Sequence, residues 1–324
     1  MAREIKTIGV LTSGGDAPGM NAAVRAVVRS AASMGINVKG ISRGYNGLID
    51  GEISDMNIRS VSEIIHRGGT VLYTARSPEF KTEAGIQKAV KTCKKEGIEG
   101  IVVIGGDGSF RGARDLSLHG IPCVGVPGTI DNDITSTNYT IGFDTAMNTA
   151  MEMIDRLRDT TQSHERCSVV EVMGRGAGWL ALETGIAVGA ISILVPEVEF
   201  DLQRDVIEKI KRTKATGKKH FIIIVAEGAG KASELSKEIE KLTGIETRPT
   251  VLGHVQRGGR PTVRDRVMAS VMGHAAVKLL SQGIGNRVVA YRDNCIVNFD
   301  IYEALNMQKP FDIEMYNMAN EISV

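Results

Sequence analysis

The sequence predicts an α/β protein whose mainly parallel sheets are flanked by helices. Short apolar runs of strand length recur along the chain, and longer segments with helical periodicity separate many of them. This alternation is typical of parallel sheets covered on both faces. Three of the apolar runs also end in loops of glycine and aspartate. Open α/β sheets bind ligands beyond the carboxyl ends of their strands, so these loops are the first candidates for a functional site.

Each element is assigned from its own pattern of apolar and turn-forming residues. The predicted strands are residues 8–11, 38–41, 101–104, 123–126, 168–172, 191–195, 221–225 and 288–291. The predicted helices are residues 22–32, 84–96, 109–118, 145–158, 201–213, 232–243 and 264–282.

Length and composition exclude several classes of protein. A chain of 324 residues is long for one core and sufficient for two α/β lobes. The net charge of +1, without a block of like charge, and the aromatic content of 4% argue against nucleic acid binding. No apolar run approaches the ~18 residues of a membrane span, so we expect a soluble, cytoplasmic protein. The four widely spaced cysteines favour reduced, mostly buried thiols over metal ligands or disulfides.

The three loops read TSGGDAPGMN at residues 12–21, GGDGS at 105–109 and PGTIDND at 127–133. Glycines after a buried strand let backbone N–H groups approach phosphate oxygens, because no Cβ stands in the way. An aspartate beside such a loop can hold Mg²⁺, and a second carboxylate can accept a proton from an attacking hydroxyl. A single loop of this kind is equally compatible with a tight turn between strand and helix, but three together indicate phosphoryl transfer.

These motifs, together with Met173-Gly174-Arg175 and LGHVQRGG at 252–259, resemble the ATP-dependent 6-phosphofructokinases of bacteria. The resemblance covers nearly the whole chain. It implies two Rossmann-like lobes: a nucleotide-binding lobe of residues 1–138 plus 252–305, and a sugar-phosphate-binding lobe of residues 139–251 plus 306–324. It also implies transfer of the γ-phosphoryl group of MgATP to the 1-hydroxyl of D-fructose 6-phosphate, a step of glycolysis. Mg²⁺ is the implied cofactor.

The resemblance assigns the chemistry to four side chains. Asp131 is the expected base, which takes the proton of the sugar hydroxyl, with Thr129 beside it. Arg76 and Arg175 are expected near the transferred phosphoryl group, where a guanidinium fork follows spreading charge. The Asp-Asn-Asp sequence is also common turn chemistry, so Asp133 competes with Asp131 for the role of base.

The expected ATP contacts are Gly15, Arg76, Ser77, Gly106, Asp107, Gly108 and Ser109, with Tyr45 as a weaker match. Asp107 is the expected ligand of Mg²⁺, which prefers a carboxylate close to phosphate oxygens. The competing interpretation of Asp107 is an N-cap of the helix predicted over residues 109–118.

The resemblance also gives a substrate set and an effector set. The expected contacts to fructose 6-phosphate are Thr129, Ile130, Asp131, Arg166, Met173, Gly174, Arg175, Glu227, Arg248, His254 and Arg257. In the family the matches of Arg166 and Arg248 come from a neighbouring subunit, which implies a homotetramer with shared sites. An effector pocket for ADP or phosphoenolpyruvate is matched by Arg25, Arg29, Arg158, Lys218, Lys219 and His220.

Four positions depart from the family's better-known pattern. Ile58 stands where an arginine is common, Ile191 replaces a metal-binding glutamate, Thr216 replaces a lysine, and Trp179 replaces an aspartate. Loss of the first three side chains predicts a weak effector response. The sequence offers no physical reason for Trp179.

Two alternative functions remain open at this stage. Pyrophosphate-dependent relatives carry an acidic residue where this chain has Gly108 and a lysine where it has Gly128, so the two glycines favour ATP. A catalytically idle nucleotide sensor on the same fold is expected to lose the base or the metal ligand, and this sequence keeps both.

Overall fold

The computed structural model describes residues 5–323, which divide into two compact units. The first unit contains the residues up to Ile130, Ile134–Thr145 and Arg257–Lys309. The second contains Asp131–Asp133, Ala146–Gln256 and the residues from Pro310 onward. Apart from the short segment Asp131–Asp133, the chain passes between the units after Thr145, Gln256 and Lys309, whereas the predicted boundaries were after residues 138, 251 and 305.

The strands are β1 (Thr7–Ser13), β2 (Asn37–Ile41), β3 (Ile53–Met56), β4 (Gly100–Gly105), β5 (Cys123–Pro127), β6 (Cys167–Val172), β7 (Ser192–Leu194), β8 (Phe221–Ala226), β9 (Thr247–Val251), β10 (Arg287–Arg292) and β11 (Cys295–Asp300). The α-helices are α1 (Met20–Ser33), α2 (Gly44–Asp50), α3 (Glu83–Lys95), α4 (Asp107–Leu118), α5 (Phe143–Ser163), α6 (Trp179–Ala187), α7 (Glu208–Ala215), α8 (Ala232–Thr243), α9 (Val263–Ser281), α10 (Ile301–Asn306) and α11 (Ile313–Ile322).

The first unit is built on a seven-stranded sheet in the order β11-β10-β5-β4-β1-β2-β3. Its five inner strands are parallel, and the edge strands β3 and β11 pair antiparallel with β2 and β10. All six residues of β4 are buried, as expected for a central parallel strand covered on both faces. On one face, the core includes Phe110 of α4 and Leu48 of α2.

The second unit is built on a four-stranded parallel sheet in the order β7-β8-β6-β9. Its strands β6 and β8 are also fully buried. One core cluster includes Ile154 and Leu182 from the helices α5 and α6, and another includes Ile207 and Ile239. Both units thus have the predicted α/β architecture of mainly parallel sheets flanked by helices.

The predicted strands and helices are present, with ends that differ by a few residues. The exception is the helix predicted over residues 201–213, which begins as a π-helical segment, Gln203–Ile207, and continues as α7. The strands β3, β9 and β11 were missed, and all three lie at sheet edges, where burial is partial and the apolar pattern is weak. Pro249 also argues against a strand, although an edge strand such as β9 tolerates proline.

The mostly buried, unpaired thiols predicted from the sequence are present among the described residues. All four cysteines are free, and Cys93, Cys123 and Cys167 are buried, whereas Cys295 is exposed. Over the same residues, the helices are too short or too polar to span a bilayer.

Candidate active site

The three glycine–aspartate loops follow the carboxyl ends of three strands of the first sheet. The strands β1, β4 and β5 are parallel neighbours, and Gly105 is level with both Ser13 and Pro127. The residues that follow these strands therefore emerge side by side. This is the arrangement that the sequence predicts for a ligand-binding edge.

Hydrogen bonds fix the loops after β1 and β4 to each other and to their surroundings. The Ser109 hydroxyl donates to the Ser13 carbonyl oxygen at 3.0 Å, and the Thr74 hydroxyl donates to the Gly14 carbonyl oxygen at 2.7 Å. A side chain at Gly105 would collide with Ser13 and Ser109. The close approach of the two loops thus requires glycine at position 105.

Tyr45 supports this site from inside the core. Its side chain is buried, stacks on Phe80 at 4.1 Å between ring centroids, and donates a hydrogen bond to the Ser109 carbonyl oxygen at 2.5 Å. Burial raises the pKa of its phenol well above the usual value. The ring packs in the core behind Ser109, and the weaker match of Tyr45 to an ATP contact stays a prediction.

Asp107 begins α4, directly after the buried strand β4. The helix N-cap is Gly106, which has no side chain, so Asp107 does not have the N-cap role that its sequence context also allowed. Its carboxylate is partly exposed and pairs with Arg111 at 3.2 Å. Among the described residues, no group of three or more His, Cys, Asp or Glu side chains surrounds a metal-sized space. A metal here would need oxygens from a ligand as well as from Asp107.

Gly108 and Gly128 differ in the space beside them. A Cβ at Gly108 would meet no heavy atom within 4 Å. A Cβ at Gly128 would lie 3.2 Å from Ile104 and 3.3 Å from Met20. The open space supports room for a nucleotide at position 108. At position 128 the close contacts add core packing as a second reason for glycine, and room for a nucleotide there stays a prediction.

Arg257 lies against the loop that follows β1. Its Nη1 donates to the Asp16 carbonyl oxygen at 3.2 Å, and a side chain at Gly15 would collide with the guanidinium. Arg257 belongs to the first unit and His254 to the second, and their shared contact with the substrate stays a prediction. The side chains of Arg76 and His254 are exposed, and that of Ser77 is partly buried.

The loop after β5 carries the two competing aspartates. Thr129 and Ile130 are buried, Asp131 is 5% exposed, and Asp133 is partly buried. Asn132, between the aspartates, has a φ of 50°, in the left-handed region that asparagine tolerates. The backbone thus makes a tight turn at the point where the resemblance places the base.

In the second unit, the loop after β6 is held in a strained turn. Gly174 has a φ of 138° and Arg175 a φ of 57°, and a side chain at Gly174 would collide with the Ala177 carbonyl oxygen. The Arg175 N–H donates to Glu227 Oε1 at 2.7 Å. The predicted residues Met173, Gly174, Arg175 and Glu227 are therefore brought together.

Gln256 belongs to the same cluster and was missed by the sequence analysis. Its Oε1 accepts a hydrogen bond from the Met173 N–H at 2.8 Å, and its side chain is fully buried. Its place in the LGHVQRGG motif, between the proposed ligands His254 and Arg257, was the available signal.

Arg166 and Arg248 meet at a third residue that the sequence analysis also missed. Glu246 Oε2 lies 2.7 Å from Arg166 Nε, and Glu246 Oε1 pairs with Arg248 Nη2. The interaction with Arg166 is the main reason why the pKa of Glu246 is lowered. Glu246 thus holds two predicted phosphate ligands as neighbours on adjacent strand ends.

Part of the effector set forms a cationic cluster in the second unit. Burial, and then the charge of Arg158, lower the pKa of Lys218. Burial lowers the pKa of His220 as well, with contributions from Lys218 and Arg158. Lys219 pairs with Glu165 at 2.7 Å. Arg25 and Arg29 lie on α1 in the first unit.

The departures from the family pattern acquire structural explanations at two positions. Ile191 is 0% exposed and belongs to a core cluster, so its side chain does not reach a ligand. Trp179 is the first residue of α6, and its indole packs on Phe311 with a centroid distance of 5.3 Å. Phe311 in turn contacts Tyr316 of α11.

Parallel α/β sheets with glycine-rich loops at the carboxyl ends of their strands are typical of proteins that bind phosphate-containing ligands. The Phosphofructokinase family model matches residues 7–280. An ATP-dependent 6-phosphofructokinase of Bacillus cytotoxicus is 58% identical over 320 residues, covering 99% of this chain and 100% of the relative. A Clostridium tetani enzyme of the same description is 57% identical over 319 residues, covering 98% and 100%. The chain belongs to the phosphofructokinase family.

The fold has a close counterpart among solved structures. The phosphofructokinase from Saccharomyces cerevisiae superposes with a TM-score of 0.88 at 35% sequence identity. The match covers 98% of this chain and 48% of the yeast chain, so this chain spans about half the length of that structure.

Proposed function

We propose that this protein transfers the γ-phosphoryl group of MgATP to the 1-hydroxyl of D-fructose 6-phosphate, giving fructose 1,6-bisphosphate and ADP. The observation that carries the proposal is the full-length similarity to ATP-dependent 6-phosphofructokinases, over a site whose proposed base and metal ligand are both present. In this proposal the first unit binds the nucleotide and the second binds most of the sugar phosphate.

The nucleotide site is proposed to consist of Gly15, Arg76, Ser77, Gly106, Asp107, Gly108 and Ser109. Open space beside Gly108 supports the placement, since a phosphate chain with an attached nucleoside needs room there. Mg²⁺ fits this donor set, because it is commonly held by one or two carboxylates together with substrate phosphates, and Asp107 supplies one. Bound Mg²⁺ would neutralise charge on the phosphate oxygens.

The sugar-phosphate site is proposed to use cations and fixed backbone groups. Arg166 and Arg248, paired through Glu246, would bind the 6-phosphate with His254 and Arg257. Met173, Gly174, Arg175 and Glu227 would contact the sugar, as would Thr129 and Ile130.

The chemical step needs alignment and one proton acceptor. The oxygen of the sugar 1-hydroxyl attacks the γ-phosphorus, and the bond from that phosphorus to the β-phosphate oxygen breaks. The hydroxyl proton passes to the carboxylate of Asp131, and ADP leaves with the bond's electron pair. Arg76 and Arg175 would stabilise the charge that spreads over the moving phosphoryl group.

The assembly and its regulation are also proposals. A homotetramer with shared sites is supported by the exposure of Arg248 and the partial exposure of Arg166, which leaves them available to a neighbouring subunit.

The pocket for an ADP or phosphoenolpyruvate effector would be formed by Arg25, Arg29, Arg158, Lys218, Lys219 and His220. We expect the reaction to take place in the cytoplasm.

A coupled assay of ADP release tests the proposal. With MgATP, ADP release should depend on fructose 6-phosphate and be negligible without it. ATP binding without fructose 6-phosphate-dependent turnover would instead indicate a nucleotide sensor. Fructose 1-phosphate serves as a control acceptor, because its 1-hydroxyl is already blocked.

A further inference from the structure

Asp265 has a fully buried carboxylate that the proposed mechanism does not use. One oxygen accepts hydrogen bonds from the Tyr139 hydroxyl at 2.5 Å and the Gly142 N–H at 2.7 Å. The other accepts from the Thr145 N–H at 2.9 Å and its hydroxyl at 2.5 Å. All four donors lie on residues 139–145, which we call the strap. A buried carboxylate with four such partners fixes the strap firmly.

The strap in turn holds the loop that leads to Asp131. The Thr140 hydroxyl donates to the Thr129 carbonyl oxygen at 2.7 Å, and the Ile141 N–H donates to the Pro127 carbonyl oxygen at 2.9 Å. Gly128 and Ile141 also form an isolated parallel bridge. Three consecutive residues, Pro127 to Thr129, therefore contact the strap just before the proposed base.

Capping of α9 does not account for Asp265. The N-cap of this helix is Thr262, whose hydroxyl oxygen accepts the Asp265 N–H at 3.3 Å. The Asp265 carboxylate makes its hydrogen bonds to the strap instead. Burial raises the pKa of this carboxylate, and the hydrogen bonds from Thr145, Tyr139 and Gly142 act in the opposite direction.

We propose that Asp265 is a positioning residue for the proposed base Asp131, and that it acts through the strap. The inference rests on the proposed function, because it assigns Asp265 a part in placing the proton acceptor. Catalysis is sensitive to such placement: a shift of about 1 Å can lower the rate about 10²-fold.

Two variants test the two contacts on which the proposal depends: that of Asp265 with the strap, and that of the strap with the loop before Asp131. Asp265→Asn places an amide where four donors converge and should lower kcat about 10²-fold, with a change in KM for fructose 6-phosphate of less than about threefold. Thr140→Val removes only the hydrogen bond to Thr129 and should lower kcat about tenfold. Its KM for fructose 6-phosphate should again change by less than about threefold. The matched control is Thr213→Val, which removes a buried hydroxyl-to-carbonyl bond of the same 2.7 Å length on α7 and should leave kcat unchanged.

A double-mutant cycle separates positioning from general destabilisation. In an Asp131→Ser background, Thr140→Val and Asp265→Asn should each lower kcat less than about twofold further, because the base they position is gone. Full additivity with Asp131→Ser, or a loss seen mainly in KM, would overturn the inference. If Asp265→Asn does not fold, Thr140→Val still decides the question. Absence of fructose 6-phosphate phosphorylation by the unmodified protein would instead overturn the proposed function.

Discussion

At the scale of single residues, the two aspartates of the loop after β5 differ in their surroundings. Asp131 is buried at the end of a segment fixed by the strap, whereas Asp133 is partly exposed two residues further on. A general base works best when it is held in position and shielded from water. The structure therefore gives a physical reason to prefer Asp131 that the sequence alone did not provide.

Replacement of Asp131 by Asn should lower kcat by at least ~10²–10⁴, with a smaller change in either KM, because the variant lacks the proton acceptor. Steady-state rates at saturating substrates measure the effect. Asp133→Asn is the control and should keep most of the activity. If Asp133→Asn abolished turnover and Asp131→Asn did not, the roles would be reversed.

Substitution of Gly108 should affect nucleotide binding, whereas substitution of Gly128 should affect stability. Gly108→Asp should raise KM for ATP without lowering the free energy of unfolding, because the new side chain enters open space that the nucleotide would occupy. Gly128→Ala should lower the free energy of unfolding by about 1–3 kcal/mol, since the methyl group crowds Ile104 and Met20. Nucleotide titrations and denaturant unfolding measure these effects. Tight ATP binding by Gly108→Asp would place the nucleotide elsewhere.

Some site residues were predictable from sequence because their motif lies beside a strand end. The loops after β1, β4 and β5 adjoin because those strands are parallel neighbours. Glu246, Gln256 and Asp265 were missed because each acts through a contact distant in sequence. Gln256, for example, bonds to Met173, and Asp265 to Tyr139. The position of the Tyr45 ring behind Ser109 likewise depends on a contact distant in sequence.

At the scale of elements, Trp179 connects α6 to the C-terminal segment. Its indole packs on Phe311, and Phe311 also contacts Tyr316 of α11. These contacts join the start of α6 to α11. The loop Met173–Arg175 lies just before this helix, so we expect the aromatic contacts to stabilise the region that carries the proposed sugar ligands. An aspartate at position 179 could not make these ring contacts.

Phe311→Ala should lower the free energy of unfolding by about 1–3 kcal/mol, because two aromatic contacts and buried apolar area are lost. Trp179 is the only tryptophan of the chain, so its fluorescence emission should shift to longer wavelength as the indole gains water. Tyr302→Ala is the control, since that side chain is 43% exposed on α10. An unchanged emission spectrum in Phe311→Ala would show that the contact does not shield Trp179.

At the scale of the whole molecule, two mainly parallel sheets follow from the alternation of strand and helix along the chain. The edge strands were less predictable, because β3, β9 and β11 have one neighbour each and a weak apolar pattern. The points where the chain passes between units, such as Thr145 within α5, carry no compositional signal. The positions of these points depend on which residues pack together in the folded chain.

Effector responses should be weak. Ile191 is buried in the core and supplies no metal ligand, and two cations are absent at Ile58 and Thr216. An effector acts only through its difference in affinity between two states, so fewer contacts allow less coupling. We expect weak activation by MgADP and weak or absent inhibition by phosphoenolpyruvate. A shift of tenfold or more in half-saturation by fructose 6-phosphate, about 1.4 kcal/mol of coupling, would contradict this.

The choice of phosphoryl donor tests the central claim most directly. The initial rate of fructose 1,6-bisphosphate formation should be measured at saturating fructose 6-phosphate and Mg²⁺, with either ATP or pyrophosphate as donor. The loop around Gly108, open beside the glycine, predicts rapid formation with MgATP and at most a trace with pyrophosphate. Turnover with pyrophosphate at a rate comparable to that with ATP would contradict the account.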